Sequence, residues 1–479
     1  MSAFYYKNMG NDYNINCKKG ETVLEALQRQ GITINAMCGG HHSCGKCRVF
    51  LNESDMSEPS YEEIALMSED DNANRVRLAC FVRAIRDIDY IRVNIPDDPD
   101  KGASILTDAA GFISESLSTS SCKQMSFAAF DLGTTTLATK LINNGSIIYT
   151  GSRHNSQAGY GADVVSRSEA SINGNADDLR HCLEDDINSL IREFPRRPEL
   201  LVMAGNTTMI HLLMGYPLDK MVNFPFSPYF SGWHRYAFQT PGGTIPCTIL
   251  PNLSAYIGGD IISGLYYCGF AQSENINLFV DLGTNGEMAI GNRNRILTAS
   301  AAAGPAFEGT PINVATDVVK CMADLRRTGI IDENGLLKDP YFDDGYCYEA
   351  PSGTINGGCV TITQQNIRDI QMAKSAIRAG ITILMNRYGV LPDEISNMYL
   401  AGGMGHGLDI ESAVSIGLFP KELADIAVPV GNSSLAGCIK YGNQPNDDVF
   451  IDNLLSVSQE ILLSNDEDFC SLYYEHMMF

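Results

Sequence analysis

A strand that ends in Asp-Leu-Gly-Thr and turns straight back into a second strand occurs twice in this 479-residue chain, as "FAAFDLGTTTLATKLI" from Phe127 and as "LFVDLGTNGEMAIG" from Leu278. The two aspartates, Asp131 and Asp281, lie 150 residues apart. A unit repeated at that separation implies two similar half-domains, each with its own copy of the loop. In such a hairpin the glycine lets backbone amides approach a phosphate, the threonines donate hydroxyl bonds, and the aspartate can orient Mg2+ through water. One Asp-Gly hairpin alone is an ordinary turn. Two in matched contexts point to a paired phosphate site.

A second constraint comes from cysteine. Cys38, Cys44 and Cys47 in "CGGHHSCGKC" and Cys80 in "RLACF" have the spacing C-x5-C-x2-C-x32-C, with Gly39, Gly40 and Gly45 in the loop. A 2Fe-2S cluster needs four thiolates, two on each iron, and a glycine-bearing loop can supply three. Structural zinc competes for such a set, but its sites pair short C-x2-4-C knuckles. The flanks suit a small β-grasp fold: "GETVLEALQRQGI" has near-helical apolar spacing, and "CRVFL" and "DYIRVNIP" read as strands. Residues 1–97 resemble adrenodoxin-type and plant-type ferredoxins. His41, His42 and Phe81 depart from that pattern; the histidines are expected as exposed loop side chains that can tune a cluster. The other ten cysteines form no short ligand pair and are expected as buried thiols.

Composition narrows the partners. Lys and Arg total 34 against 57 Asp and Glu, a net charge of -23, which disfavours nucleic acid and anionic lipid. The last 79 residues carry only Lys421 and Lys440 against twelve acids, read as a solvated acidic surface or a docking face for a basic partner. No stretch approaches the ~18 apolar residues of a membrane span. The N-terminus "MSAFYYKNMGNDYN" lacks a secretory pattern, so the chain is read as cytoplasmic.

Residues 98–125 are rich in Ser, Asp, Gly and Ala and read as a flexible linker. Beyond them, "MYLAGGMGHGLDIESAVSIGLFP" reads as a strand ending at Ala401, a turn of Gly402, Gly403 and Gly405, and a helix. A dinucleotide fingerprint is a weaker reading there, because no first βα unit precedes it. "LLVMAGNTTMIHLLMG" and "SAAAGPAFEGT" read as strand-turn-helix, with Asn206, Thr207, Gly304 and Glu308 at the turns as either ligand contacts or caps. The helix after Thr363 buries Ile367, Ile370, Ile377, Ile381 and Leu384, with Lys374 and Arg378 reaching adenine or solvent.

From 126 to 479 this order resembles the ATPase superfamily of sugar and acetate kinases, actin and heat-shock chaperones. "GGDIISGLYYCGF" from Gly258 and "GNSSLAGCIKYG" from Gly431 stand where that superfamily has its two inter-lobe helices. The resemblance implies that Asp131, Gly133, Thr134 and Thr135 hold one side of the phosphates and Asp281, Gly283, Thr284 and Asn285 the other. It places Gly402, Gly403 and Gly405 under the adenosine. Asp260 becomes an orienter of the attacking water or simply a carboxylate at a helix start.

The whole arrangement, with "NSQAGYGADVVSR", "AGNTTM", "AAAGPAFEG", "TITQQNIRDIQMAKSAI" and "VGNSSLAGC", resembles the reductive activators of corrinoid-dependent methyltransferases and corrinoid iron-sulfur proteins. That resemblance implies a fold of mixed α/β and α+β class. A β-grasp 2Fe-2S ferredoxin domain occupies 1–97 and a linker 98–125. The lobes of an actin-like, ribonuclease H-like ATPase follow at 126–272 and 273–479. It implies a 2Fe-2S cluster, ATP and Mg2+ as cofactors, and electron transfer from the cluster to Co(II) cobalamin to restore Co(I). The implied partners are a corrinoid protein or methyltransferase system and an upstream low-potential electron donor, and a homodimer is left open. A small-molecule kinase with a redox-regulatory ferredoxin domain, or an actin-like redox-sensing scaffold, would share the same motifs.

Overall fold

Two sheets built on one strand order, and a small separate sheet ahead of them, organise the chain. The structure, a computed structural model, describes residues 10–30, 56–67, 76–96, 125–283, 285–303, 315–349, 359–405 and 407–479, together with positions 32, 34, 36, 40, 42, 45 and 47–51. The expected linker lies outside the described residues up to position 124.

The N-terminal sheet comprises β1 (Gly10–Cys17), β2 (Arg48–Leu51), β3 (Arg77–Leu78) and β4 (Ile88–Pro96) in the order β1-β4-β2-β3. Helix α1 (Val23–Arg29) begins at a capping box in which Thr22 and Glu25 satisfy each other's amides, and it buries Val23, Leu24, Ala26 and Leu27. Beneath β3, Arg77 and Glu63 form a buried ion pair at 2.9 Å, and Glu63 Oε1 also accepts the Leu78 amide at 2.9 Å. With its remaining lone pairs used this way, the pair fixes the strand that delivers Cys80.

The first large sheet contains β5 (Ser126–Leu132), β6 (Thr136–Asn143), β7 (Ser146–His154), β8 (Leu200–Gly205), β9 (His234–Thr240) and β10 (Gly243–Ile249). Helix α2 (Ala176–Glu193) precedes β8, α3 (Thr207–Met214) follows it, and α4 (Gly259–Tyr267) closes the lobe. The second contains β11 (Asn277–Leu282), β12 (Gly286–Asn292), β13 (Arg295–Ala301), β16 (Asn397–Ala401), β17 (Ala427–Gly431) and β18 (Ser458–Glu460). Between β13 and β16 come α5 (Ala315–Arg327), the hairpin β14 (Tyr346–Glu349) and β15 (Cys359–Ile362), and α6 (Gln364–Tyr388). Then follow α7 (Gly402–Gly405), α8 (Ile410–Ser415), α9 (Ser433–Asn443) and α10 (Phe469–Glu475).

Strand orders β7-β6-β5-β8-β10 and β13-β12-β11-β16-β17 correspond one to one, with antiparallel hairpins on one side and parallel neighbours on the other. Only the sixth strands differ, β9 in one sheet and β18 in the other. The central strands are buried on both faces, as their uninterrupted apolar runs require. Phe127 and Ala129 of β5 face a core shared with Phe279 of β11, while Ala128 and Phe130 face the outside of their own lobe. That alternation follows the period of two of an extended chain.

Helices α4 and α9 cross inside the shared core on small residues. Ser263 Oγ donates to the Ser434 carbonyl at 2.7 Å, and a Cβ on Gly264 would stand 2.7 Å from Ser433 Oγ. A Cβ on Gly437 would overlap the backbone of Ser263. Among the described residues no helix is long and apolar enough to cross a membrane. The crossing yields a prediction: Gly437→Ala forces α4 and α9 apart and costs roughly 1–3 kcal/mol of stability. A lowered thermal unfolding midpoint would show it, with the visible absorption of the N-terminal domain unchanged; an unaltered midpoint would contradict the crossing.

Candidate functional site

Both Asp-Leu-Gly-Thr loops lie at the carboxyl ends of the central strands β5 and β11. Asp131 accepts two bonds from the other lobe: Asn432 Nδ2 donates to Oδ2 at 2.9 Å and Ser434 Oγ to Oδ1 at 2.7 Å. Asn432 also caps α9, its Oδ1 accepting the Leu435 amide at 2.8 Å. One aspartate is therefore bound to the start of an inter-lobe helix.

The first loop is held from outside. Gly133 N–H donates to the Thr136 carbonyl at 3.1 Å, and a Cβ there would meet that oxygen at 2.5 Å, so only glycine fits. Asn155 Nδ2 donates to the Gly133 carbonyl at 3.0 Å, and Asn206 Nδ2 donates to Thr134 Oγ1 at 2.9 Å. Asn206 Oδ1 meanwhile caps α3 through the Met209 amide at 2.9 Å. Thr135 is exposed. Thr207 is buried and its hydroxyl donates to the Ser254 carbonyl at 2.6 Å. Asn206 and Thr207 thus shape the loop and its neighbour, with their side chains engaged by protein.

The second loop is one residue shorter. Leu132 pairs with Leu137 across the first turn, whereas Leu282 pairs with Gly286 across the second. Gly283 N–H donates to the Asn285 carbonyl at 3.0 Å. Thr284 and Gly304 lie outside the described residues. Gly402, at φ 84, passes so close that a Cβ would stand 2.5 Å from Asp281 Oδ1 and 2.6 Å from the Leu282 carbonyl. The expected glycine turn is itself a short helical element, Gly402–Gly405, because the left-handed Gly402 reverses the chain and the next residues coil at once. Gly403 is exposed, with open space where a side chain would be.

Four carboxylates meet at this seam. Desolvation raises Asp260 to about 7, with the Asp131 charge adding to it. Desolvation, then Asp260 and Asp131, raises Asp281 to about 8. Glu287 is pushed well above the ordinary range by desolvation and by Asp260 and Asp281, against a bond from Asn285. Asp131 rises by desolvation, opposed by its bonds from Ser434 and Asn432. Each keeps a partly open face yet is surrounded by protein atoms. No lysine or arginine is among the described groups acting on them.

The asymmetry comes from the two linking helices. The cap and first two residues of α9 are Asn432, Ser433 and Ser434; those of α4 are Gly258, Gly259 and Asp260. Where Asp131 meets a hydroxyl donor, Asp281 meets a second acid. Asp260 bonds its own helix start, Oδ1 accepting the Ile261 amide at 2.8 Å, which offsets part of its desolvation.

Glu287 was absent from the sequence-derived site. It pairs across the ladder with Asp281, whereas Ala138 pairs with Asp131, so the acid belongs to one copy of the repeat only. Counting along "DLGTNGE" with the shorter loop would have found it. Among the described residues no three of His, Cys, Asp or Glu converge as ligands of one ion. An all-oxygen cleft of this kind suits Mg2+ held jointly by one or two carboxylates, water and phosphate.

Of the four proposed cluster ligands, Cys38 and Cys44 lie outside the described residues. Cys47 and Cys80 are both buried, with their sulfurs 3.4 Å apart. Two thiolates on one tetrahedral metal at ~2.3 Å stand roughly 3.8 Å apart, so the pair fits a shared iron. His42 is exposed but not free: it stacks on Phe81 with centroids 4.1 Å apart, and its Nε2 lies 3.1 Å from the Cys80 carbonyl. Two of the departures from the ferredoxin pattern, His42 and Phe81, thus pack on each other, while His41 lies outside the described residues. Elsewhere Cys17, Cys247, Cys321 and Cys438 are buried thiols, whereas Cys470 is exposed and Cys347 is disulfide-bonded, against expectation.

Residues 127–273 match the family model of the RACo middle region, 275–317 and 315–479 match that of the C-terminal domain of RACo, the ASKHA domain, and 7–84 match the 2Fe-2S iron-sulfur cluster binding domain. The chain is similar to the corrinoid activation enzyme RamQ of Eubacterium limosum, 25% identical over 421 residues that cover 73% of this chain and 70% of that one. It is also similar to the Co(II) methylated amine-specific corrinoid protein reductase of Methanosarcina barkeri, 29% identical over 235 residues covering 40% of this chain and 43% of that one. It spans under half of that second relative. A solved reductive activator for corrinoid, iron-sulfur protein shares the fold with a TM-score of 0.67 over 96% of each chain at 24% identity.

The carboxylate seam makes stability depend on pH. A carboxyl that titrates near 4 when unfolded but at about 7 or 8 here binds its proton more tightly in the folded state. Its contribution is full below about pH 4 and is lost as pH rises through the folded value. Without nucleotide or Mg2+, the melting temperature should fall between about pH 5 and 8, and Asp260→Asn should flatten that fall. Thermal melts across this range test it; the same slope in both proteins would reject the coupling of these acids.

Proposed function

The chain belongs to the family defined by the RACo middle region and the RACo C-terminal ASKHA domain, and from that membership we propose that it is the ATP-dependent reductive activator of a corrinoid protein. The observation that carries the reading is the meeting of Asp131, Asp260, Asp281 and Glu287 at the lobe seam, in the same chain as the Cys47–Cys80 pair.

The 2Fe-2S cluster, when bound by Cys38, Cys44, Cys47 and Cys80, supplies one electron that converts the partner's Co(II) to Co(I). An unidentified low-potential donor upstream restores it. The cobalt couple lies below an ordinary ferredoxin's, and each ~59 mV of gap lowers a one-electron equilibrium about tenfold. A gap of about 200 mV would leave less than one electron in a thousand on cobalt. Nucleotide helps only if its bound states differ in affinity for the partner's cobalt states.

The chain's own residues offer such a two-state element. The seam acids repel the phosphates of ATP unless Mg2+ accompanies them, so the lobes close only on the metal–nucleotide complex. Thr135, Gly133, Gly283 and Asn285 contact phosphate from the two loops, with Asn206 holding Thr134 in place. Asp131 senses closure through Asn432 and Ser434, because those bonds join lobe to lobe. Asp260, poised near neutrality, orients the attacking water. Gly402 lets the chain pass against Asp281 and Gly403 leaves open space beside it, so that the turn of Gly402, Gly403 and Gly405 runs under the nucleoside. In this reading the division at 97, 125 and 272 separates electron carrier, linker and the two lobes.

The test is anaerobic visible spectroscopy of a Co(II) corrinoid protein from a methyltransferase system. Co(I) should appear with low-potential reductant, this protein and MgATP together. It should fail on omission of any one, and with Cys44→Ser, which leaves nucleotide binding intact. Reduction that proceeds equally without nucleotide would overturn the coupling, and a phosphorylated small molecule as product would point to a kinase instead.

A further inference from the structure

The second lobe carries a cationic pocket on its outer face that no part of the reaction above uses. Lys374 and Arg378 stand one helical turn apart on α6, on the flank of its buried stripe. Together with Val414 of α8, Gly417, Phe419, Lys421 and the terminal residues Glu475, His476 and Met478 they line a pocket of about 260 Å³. This is where the structure departs from the expectation for Lys374: it reaches neither solvent nor the loop cluster. It is 1% exposed, and its ammonium donates to the Met478 carbonyl and lies 5.2 Å from the centre of the Phe479 ring.

Among the described residues no ion pair joins Lys374 or Arg378 to an acid, although Glu475 lines the same pocket. Arg378 Nε and Nη1 are buried and, among the described residues, donate to no acceptor. Such orphaned guanidinium donors are uncommon in a folded protein and costly to keep. Burial, then Arg378, pulls Lys374 down to about 8, whereas Glu422 and Glu475 act on Arg378 only through space. Lys421 adds a third cation, one of the two basic residues in the last 79 positions of a chain with net charge -23. Three cations against one acid, Glu475, line this pocket in so acidic a molecule, a lining that suits an anion.

We infer that this pocket binds a small phosphate-bearing anion, held by the Arg378 guanidinium and by Lys421 and roofed by the C-terminal segment. A guanidinium and an ammonium lining one pocket suit the oxygens of a phosphate, arginine through its planar fork and lysine as a point charge. The volume lies just under the ~300 Å³ of pockets for drug-sized ligands, so the occupant is of the size of a diphosphate or a short phosphate ester. The roof is anchored on α6, where Gln371 Nε2 donates to the Met477 carbonyl at 2.8 Å and Ser375 Oγ to the Tyr473 carbonyl, and on the segment after α5, where the Phe479 amide donates to the Glu333 carbonyl at 3.0 Å. Gly417, at φ 79, keeps the floor open, since a Cβ there would stand 3.2 Å from the Lys374 ammonium. The site stands whether or not the partner is a corrinoid protein.

The test uses the full-length protein with its nucleotide cleft filled by saturating MgADP. Inorganic phosphate, diphosphate and glycerol 3-phosphate are titrated separately by calorimetry, which tells free phosphate from a phosphate ester. At least one should bind, Arg378→Gln should weaken it about tenfold or more, and MgADP affinity should stay unchanged. Arg378→Lys, which keeps the charge and guards against a folding defect, should bind with an intermediate loss. No binding by any of the three, equal binding in Arg378→Gln, or a parallel loss of MgADP affinity in that variant would each overturn the assignment.

Discussion

Four carboxylates at one seam, with no described cation acting among them, are the constraint around which the ATPase lobes are arranged. Two come from the ends of paired central strands, one from the first turn of a linking helix and one from the strand that follows the second loop. Like charges brought together out of water hold protons that free carboxyls would release near pH 4. Proton or metal cation must therefore occupy the seam at neutral pH. The two linking helices, crossing on Gly264, Gly437 and Ser263, tie the seam to the shared core, because their first turns supply Asp260 on one side and the Asn432 and Ser434 donors on the other.

Placing a redox centre ahead of such a seam gives the chain two separable tasks. Cys80 is set by the buried Arg77–Glu63 pair and Cys47 by the adjoining strand, so the sulfur spacing is a property of the small sheet alone. The seam sets the relative position of the lobes. Coupling between the tasks then depends on whether a partner contacts both, which is a matter of binding free energy shared between sites.

Much of this was legible in the primary structure. The repeated loop announced two like halves, and the topology carries the likeness further than the motif, through five strands of each sheet. The cysteine spacing singled out Cys47 and Cys80, whose sulfurs the small domain brings together. Glu287 escaped because the two loops look alike by eye while differing in length by one residue, which places a glutamate opposite Asp281 and an alanine opposite Asp131. The surroundings of Lys374 escaped for a different reason: helical periodicity puts it at the edge of the buried stripe, but what covers it is chain about a hundred residues away, Met478 and Phe479. Tertiary contacts of that range leave no local pattern. Asp260 was read as either a catalytic group or a helix-start carboxylate. Its position in the fold makes it both a first-turn residue and the neighbour of Asp281.

If the seam acids hold protons until metal and phosphate replace them, binding of a non-hydrolysable MgATP analogue must expel protons. Calorimetric titration near pH 7 in buffers of differing ionisation heat measures that number directly. The account predicts release of at least about one proton per nucleotide, shrinking in Asp281→Asn. A binding enthalpy that is the same in every buffer would contradict it.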